Sequence, residues 1–346
     1  MFFLSGLRFF SKRVYKAGAT GFSTRFQKKS LSSCFFCEKT DMIEKKYSGI
    51  TMSFPFYTFG GLFYWIDRYN YFGWRIQESM WTRRCRLLDP FSIKRGSGSF
   101  QECYDKLQEF LRMWEINTDS KKAAVVLVHG LFQRPNSFDK MARKLKKDFE
   151  PVLFSYPMFR FSLMKSAQVL NDMLNRRQDL KQINFIAYGM GGLIVRQAIA
   201  LNPAWLDRLG RTVFMAVPHQ GYFWLEKVKD KKWYPFLLNK AGQNLLPETA
   251  KALPAMTGEF GVITGGKEDD KGFLPWLKED NDGILIVKDA RCEGAKDEFM
   301  ALNRTHFFLH WNDKLITMAQ NFLKTGRFGR GVRIRKDQSY TNLWDK

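Results

Sequence analysis

Continuous apolar runs recur along the latter two thirds of the chain, bounded by glycine, proline, aspartate or asparagine. They fall near 123–128, 151–155, 182–187, 212–217, 261–264, 284–287 and 297–302, and each is short enough to be a strand. A run without alternation, such as Ala123 to Val128, fits a parallel strand buried on both faces. Stretches with helical spacing lie between and around the runs. Phe100 to Trp114 predicts one helix. Residues 311–328 predict an amphipathic closing helix that stops at Gly326. Strands alternating with helices predict an α/β fold, with a mostly parallel central sheet and helices on both faces. The chain then divides into a leader (1–46), an aromatic-rich extension (47–120), the α/β domain (121–328) and a tail (329–346). Within the domain, residues 223–257 break the pattern and hold Trp224, Trp233, Tyr234 and Phe236. They are expected to form a cap or lid over a pocket.

The run from Ile183 to Ala187 leads through Tyr188, Gly189 and Met190 into Gly191-Gly192 and a helical stretch. A strand, a tight turn and a helix in that order resemble the nucleophile elbow of the α/β-hydrolases, G-x-S-x-G. Here the string reads A-Y-G-M-G, so glycine stands at the position the resemblance gives to serine. His129-Gly130 ends the run 123–128 and resembles the HG motif of lipases and esterases. The resemblance implies one oxyanion-hole N–H from Leu131 or Phe132 and a second from Met190. RTVFMAVPHQG (211–221) resembles the family's next strand, often closed by T-P-H-x-G, with Val217 in place of a small or hydroxyl residue. In NDGILIV (281–287) the resemblance makes Asp282 the triad acid. In DEFMALNRTHFFLH (297–310) it makes His306 the base. The order nucleophile, acid, base is that of the family. His310, one helical turn beyond His306, is the fallback base, and His219 is read as structural. TFGGLFYW, GWRIQ and RLLDP, within 58–90, resemble the leading segment of a group of bacterial α/β-hydrolases of uncertain substrate.

A covalent acyl-transfer step needs a side-chain oxygen, and glycine has none. No G-x-S-x-G occurs elsewhere in the chain. Ser155 and Tyr188 are the nearest hydroxyls, and neither is expected at the top of the turn. Glycine also suits the turn, because the elbow conformation strains other residues by about 1–3 kcal/mol. Three readings stand. The first is a catalytically inactive hydrolase fold serving as a structural subunit, with Gly189, Asp282 and His306 as the former triad and Leu131 and Met190 as the former oxyanion hole. The second is an esterase or lipase that works with another nucleophile, or with a water activated by Asp282 and His306. The third is a lipid- or acyl-binding module, because the helix that starts at Met190 still directs N–H groups at the pocket.

Charge and composition bear on partners. The 346 residues carry a formal charge of +22, 45% hydrophobic and 16% aromatic content, including 33 phenylalanines. That length supports one large domain with an appended segment. Residues 1–37 hold seven Lys or Arg and no acid, and residues 324–346 hold seven against two Asp. An acid-free, basic, aromatic and serine-rich start resembles a mitochondrial targeting segment. The expected location is the matrix or the matrix side of the inner membrane. The basic ends suit ribosomal RNA, acidic lipid or an acidic protein surface. The expected partners are subunits of a large mitochondrial complex, either a respiratory or ATP-synthesising membrane complex or the mitochondrial ribosome. The aromatic surplus suits a large interface. Tyr47 to Ile66 carries no charge and is long enough to span a membrane. Pro55, Gly60-Gly61 and its polar residues make it a poor helix, so an arm packed on the core, or a membrane-surface or partner contact, is expected. Cys34, Cys37, Cys85, Cys103 and Cys292 are read as reduced thiols. The lone C-x-x-C lacks the two further ligands of a zinc site. No P-loop or dinucleotide fingerprint occurs, and no metal or cofactor is expected.

Overall fold

A computed structural model describes residues 64–114, 122–329, 333–334 and 340–341. The basic leader, most of the uncharged stretch 47–66, Cys34, Cys37 and most of the tail lie outside the described residues. In chain order the elements are β1 (Trp65–Tyr71), β2 (Trp74–Ser79), β3 (Cys85–Leu88), β4 (Lys94–Gly98), α1 (Phe100–Met113), β5 (Ala124–Val128), α2 (Asp139–Leu145), β6 (Glu150–Phe154), α3 (Leu163–Asn175), β7 (Ile183–Tyr188), α4 (Met190–Ala200), β8 (Leu209–Met215), α5 (Phe223–Glu226), α6 (Trp233–Asn244), α7 (Pro247–Lys251), β9 (Phe260–Gly266), β10 (Asp297–Leu302), α8 (Asp313–Thr325), β11 (Arg333–Ile334) and β12 (Tyr340–Thr341).

The large sheet runs β12-β11-β10-β9-β8-β7-β5-β6. Every pairing from β10 across to β6 is parallel. Val126 sits between Val152 and Phe185 in register, and all three are buried. Burial on both faces explains why these strands read as unbroken apolar runs. α3 packs on α4, and α2 meets α8. Six parallel strands in this order, with helices on both faces, form the α/β-hydrolase fold. At the far edge the tail adds β11 and β12 antiparallel to β10, with Phe299 opposite Arg333.

One expected strand is absent. Residues 284–287 form a loop that leads into a short 3-10 turn, Val287–Ala290. The reason is local competition for backbone hydrogen bonds. Asp282 Oδ1 accepts the N–H groups of Ile284 and Leu285 at 3.1 and 2.8 Å. Asp282 N–H donates to Leu285 O, and Val287 N–H to Asp280 O. The segment is satisfied by its own turn and needs no ladder. The closing helix is shorter than its pattern. Asn312 caps its start, and Gly326 ends it in the left-handed region at φ 75°.

The aromatic extension builds a second sheet, β1-β2-β3-β4, antiparallel throughout. α1 covers it. A capping box formed by Ser99 and Glu102 starts this helix, which buries Cys103, Leu107 and Leu111. They meet Trp74, Ile76 and Leu87 in a separate apolar cluster. β1 closes the open edge of the large sheet beside β6. Asp67 N–H donates to Ser155 O, Ser155 N–H returns a bond to Asp67 Oδ2 at 2.7 Å, and Asn70 Nδ2 donates to Leu153 O at 2.6 Å. Covering an edge strand in this way removes a template for aggregation. The fully buried Arg177 bonds Asn70 O, Glu150 and Asp179, and so ties the small sheet to the large one.

Candidate active site

β7 brings Tyr188 opposite Met215 of β8, and Gly189 N–H donates to Met215 O at 3.0 Å. The chain then reverses through Gly189 at φ 51° and ψ −127° and enters α4. An L residue would hold this conformation at a cost of about 1–3 kcal/mol. Space is not what calls for glycine. A Cβ on Gly189 would meet only Gly130 Cα, at 3.6 Å, an ordinary contact.

The next two glycines are different. A Cβ on Gly191 would lie 2.5 Å from Val128 O and 2.6 Å from His129 O. A Cβ on Gly192 would lie 2.2 Å from Val217 Cγ2. Here α4 presses directly on the ends of β5 and β8, and Val217 fills the space a smaller residue would leave. Gly191→Ala is therefore expected to lower stability by about 1–3 kcal/mol through overpacking against backbone that cannot swing aside. A shift of the urea midpoint measures it, and an unshifted midpoint would show that α4 is free to move.

Asp282 and His306 meet. His306 Nδ1 lies 2.8 Å from Asp282 Oδ2, and His306 N–H donates to Asp282 O at 2.8 Å. Asp282 is fully buried and His306 nearly so. Because Oδ1 of Asp282 is held by the backbone of its own loop, Oδ2 is the oxygen left to orient the imidazole. The His306 ring stands edge-on to Tyr188, the residue before Gly189, with centroids 5.5 Å apart. The loop is further locked by neighbours that the motif reading passed over. Asp280 accepts the N–H groups of Lys267 and Glu268 at 2.8 and 2.9 Å. Asn281 accepts from Leu274 and Gly283 and donates to Lys271, Leu274 and Glu279 carbonyls. Their only sequence signal was the turn-forming string from Glu279 to Gly283.

The remaining candidates separate. Phe132 N–H faces Met158 Sδ at 3.1 Å. His310 is buried against Tyr188 and Phe138, and neither ring nitrogen has a partner. Burial pushes its pKa down to about 4, and it does not reach Asp282. His219 contacts Arg196 through Nδ1 and its carbonyl, and burial followed by the Arg196 charge holds it neutral. Ser155 is bonded to Asp67 at the sheet edge, away from the turn. The Tyr188 hydroxyl is buried without a partner, and burial raises its pKa far above the usual value.

Of the expected lid, α5, α6 and α7 are helical, and Asn239 breaks α6 at φ 44°. Trp224 Nε1 donates to Ile284 O at 3.2 Å, so this segment rests on the loop after Asp282. Tyr234 is buried, whereas the side chains of Trp233 and Phe236 lie outside the described residues. Trp224 helps line a cavity of about 330 Å³ with Phe223, Trp276 and Lys288. A second cavity, of about 270 Å³, opens beside His129. Neither is lined by Gly189, Asp282 or His306.

No protein-family model matches the chain, and no curated protein matches it. Among solved structures it is similar to the mature form of a lipase from Bacillus licheniformis, at 18% identity over 56% of this chain and 88% of that one, with a TM-score of 0.45. It is similar to a hydrolase from Oleispira antarctica at 14% identity, over 60% of this chain and 92% of that one, with a TM-score of 0.41. It is also similar to a phospholipase from Legionella pneumophila at 13% identity, over 58% of this chain and 56% of that one, with a TM-score of 0.43. Those names describe those proteins. Strand order and the places of Gly189, Asp282 and His306 carry the fold of this one.

Proposed function

We propose that this chain is an α/β-hydrolase fold that has given up covalent catalysis and serves as a structural subunit of a large mitochondrial assembly. One observation carries the first half. The turn holds glycine at its apex while the acid–base pair, Asp282 and His306, remains joined at 2.8 Å. A base that is oriented but has no hydroxyl to deprotonate cannot start acyl transfer. Losing the nucleophile of a serine triad costs about 10⁶ in turnover. The second half is supported by composition: the acid-free basic start, the basic tail and a total charge of +22. Exposed aromatics add to it. Phe132, Phe307, Phe308 and Trp311 are all about half exposed, and such side chains are enriched at interfaces. The assembly would be a membrane complex of respiration or ATP synthesis, or the mitochondrial ribosome. The basic ends would contact inner-membrane lipid or ribosomal RNA.

The test is the native size of the endogenous protein in gently solubilised mitochondria, by gradient sedimentation with mass spectrometry. Migration far above 40.6 kDa with a fixed partner set is expected, and the partners name the complex. Migration as a free monomer would end the subunit reading.

The intact pair favours a second reading, an ester hydrolase in which His306 activates a water. This reading requires turnover of short or long acyl esters that disappears in His306→Ala. Turnover no greater than buffer by the unmodified protein removes it.

A further inference from the structure

The cavity beside His129 is chemically unlike the rest of the surface. Arg75 and Arg86 reach it from the small sheet, and Arg134 reaches it from the loop after β5. Among the described residues, no carboxylate lies within ion-pair distance of any of the three. Arg75 Nη2 donates to Ser92 Oγ at 2.7 Å. Arg86 donates Nε and Nη2 to Gln77 Oε1 at 3.1 and 2.8 Å, and its guanidinium stacks 3.8 Å over the Trp65 ring. Arg134 is exposed at the rim. The nearest buried negative group, Asp67, sits behind Gln77 with one oxygen accepting Gln77 Nε2 and the other accepting Ser155 N–H, each at 2.7 Å. Three arginines therefore line one space and, among the described residues, form no ion pair there, although the charge of Arg75 is felt by the Asp67 and Asp139 carboxylates. Burial, and after it the neighbouring Arg75 charge, lowers the Arg86 pKa to about 10, while the Asp67 carboxylate opposes the shift.

We propose that this cavity binds a small phosphate monoester, with the phosphate held by Arg75, Arg86 and Arg134. Planar guanidiniums bind phosphate oxygens in forked pairs, and a dianion relieves the repulsion among three of them. A volume of about 270 Å³ suits a molecule of few carbons. The site lies at the carboxyl ends of β5 and β6. It is separate from the Gly189 turn and does not depend on whether that turn is catalytic.

Calorimetric titration of the full chain with glycerol 3-phosphate, with glycerol as the uncharged control, tests it. One saturable site is expected for the phosphate and none for glycerol. Arg75→Gln and Arg134→Gln should each weaken binding about tenfold, since a lost charge-assisted bond is worth about one decade. Lys147→Gln, an exposed lysine elsewhere, should leave it unchanged. Thermal unfolding without ligand confirms that each variant is folded. Absence of saturable binding, affinity in both arginine variants equal to that of the unmodified protein, or an equal loss in Lys147→Gln would overturn the assignment. Competition by vesicles of phosphatidic acid in phosphatidylcholine separates two sources of the same chemistry. Displacement that fails in Arg134→Gln identifies a lipid headgroup, and no displacement identifies a free metabolite. Both results leave the monoester assignment standing.

Discussion

Gly189→Ser is expected to convert an inert turn into a working one. The Asp282–His306 pair is already assembled. A serine Cβ fits with one ordinary contact to Gly130 Cα. On the proposed reading, the part to be supplied is the hydroxyl. Restoring it should raise hydrolysis of a short acyl ester by about 10³-fold or more over the unmodified protein, a fraction of the roughly 10⁶ that a nucleophile supplies in an optimised triad. The gain should vanish when His306→Ala is added, because the new hydroxyl then has no base. Stability should move the other way. At φ 51° a serine strains the turn, so the variant should be less stable by about 1–3 kcal/mol. Activity gained at the expense of stability is the pattern of a functional elbow. A folded variant with no turnover would mean that the imidazole does not face the turn.

Arg177→Met should be among the most damaging single changes outside the turn. Arg177 is fully buried and donates to Glu150 Oε1 at 2.9 Å, to both oxygens of Asp179 and to Asn70 O. Its guanidinium also lies 4.7 Å over the Tyr71 ring. Glu150, at the start of β6, is only 6% exposed. Removing the arginine leaves that carboxylate buried and alone, and leaves the junction between the two sheets without its tie. Breaking one side of a buried ion pair costs about 3–5 kcal/mol. Urea unfolding should show that loss. The companion change Glu150→Leu in the Arg177→Met background should recover a large part of it, since the charge left behind is the main penalty. Losses that simply add in the double variant would show that the two side chains act separately.

Arg177 also illustrates where the sequence falls silent. In the chain it is one of two adjacent arginines after an amphipathic helix, which reads as solvent-facing charge. Its burial follows from β1, and β1 itself was hidden. The strands of the small sheet carry Asp67, Asn70, Gln77 and Glu78 at buried positions, so neither an alternating nor a continuous apolar pattern appears. Asp67 and Asn70 bond across to Ser155 and Leu153 of the large sheet, Glu78 and Gln77 bond to Arg68 and Asp67 within the small one, and pairing of that kind leaves no local mark. The central strands were legible for the opposite reason: burial on both faces forces a run of apolar residues whatever the neighbours are. The pairing of Asp282 with His306 could be anticipated from the order of segments, because β9 and β10 are parallel neighbours and their carboxyl-terminal loops must approach one another. The false strand at 284–287 shows the limit. Its apolar residues are buried, yet Asp282 takes the backbone hydrogen bonds that a ladder would need. The arginines of the His129 cavity come from two different regions of the chain, and only the fold brings them together.

The central claim is that the apex of the turn, and nothing else, separates this site from a working one. Intact-protein mass spectrometry after exposure to a fluorophosphonate tests it most directly, because the probe forms a bond only with an activated hydroxyl. The account predicts no adduct on the unmodified protein, and on Gly189→Ser a single adduct that maps to residue 189. An adduct on the unmodified protein would reveal a nucleophile elsewhere and contradict the account, as would a folded Gly189→Ser variant that stays unlabelled.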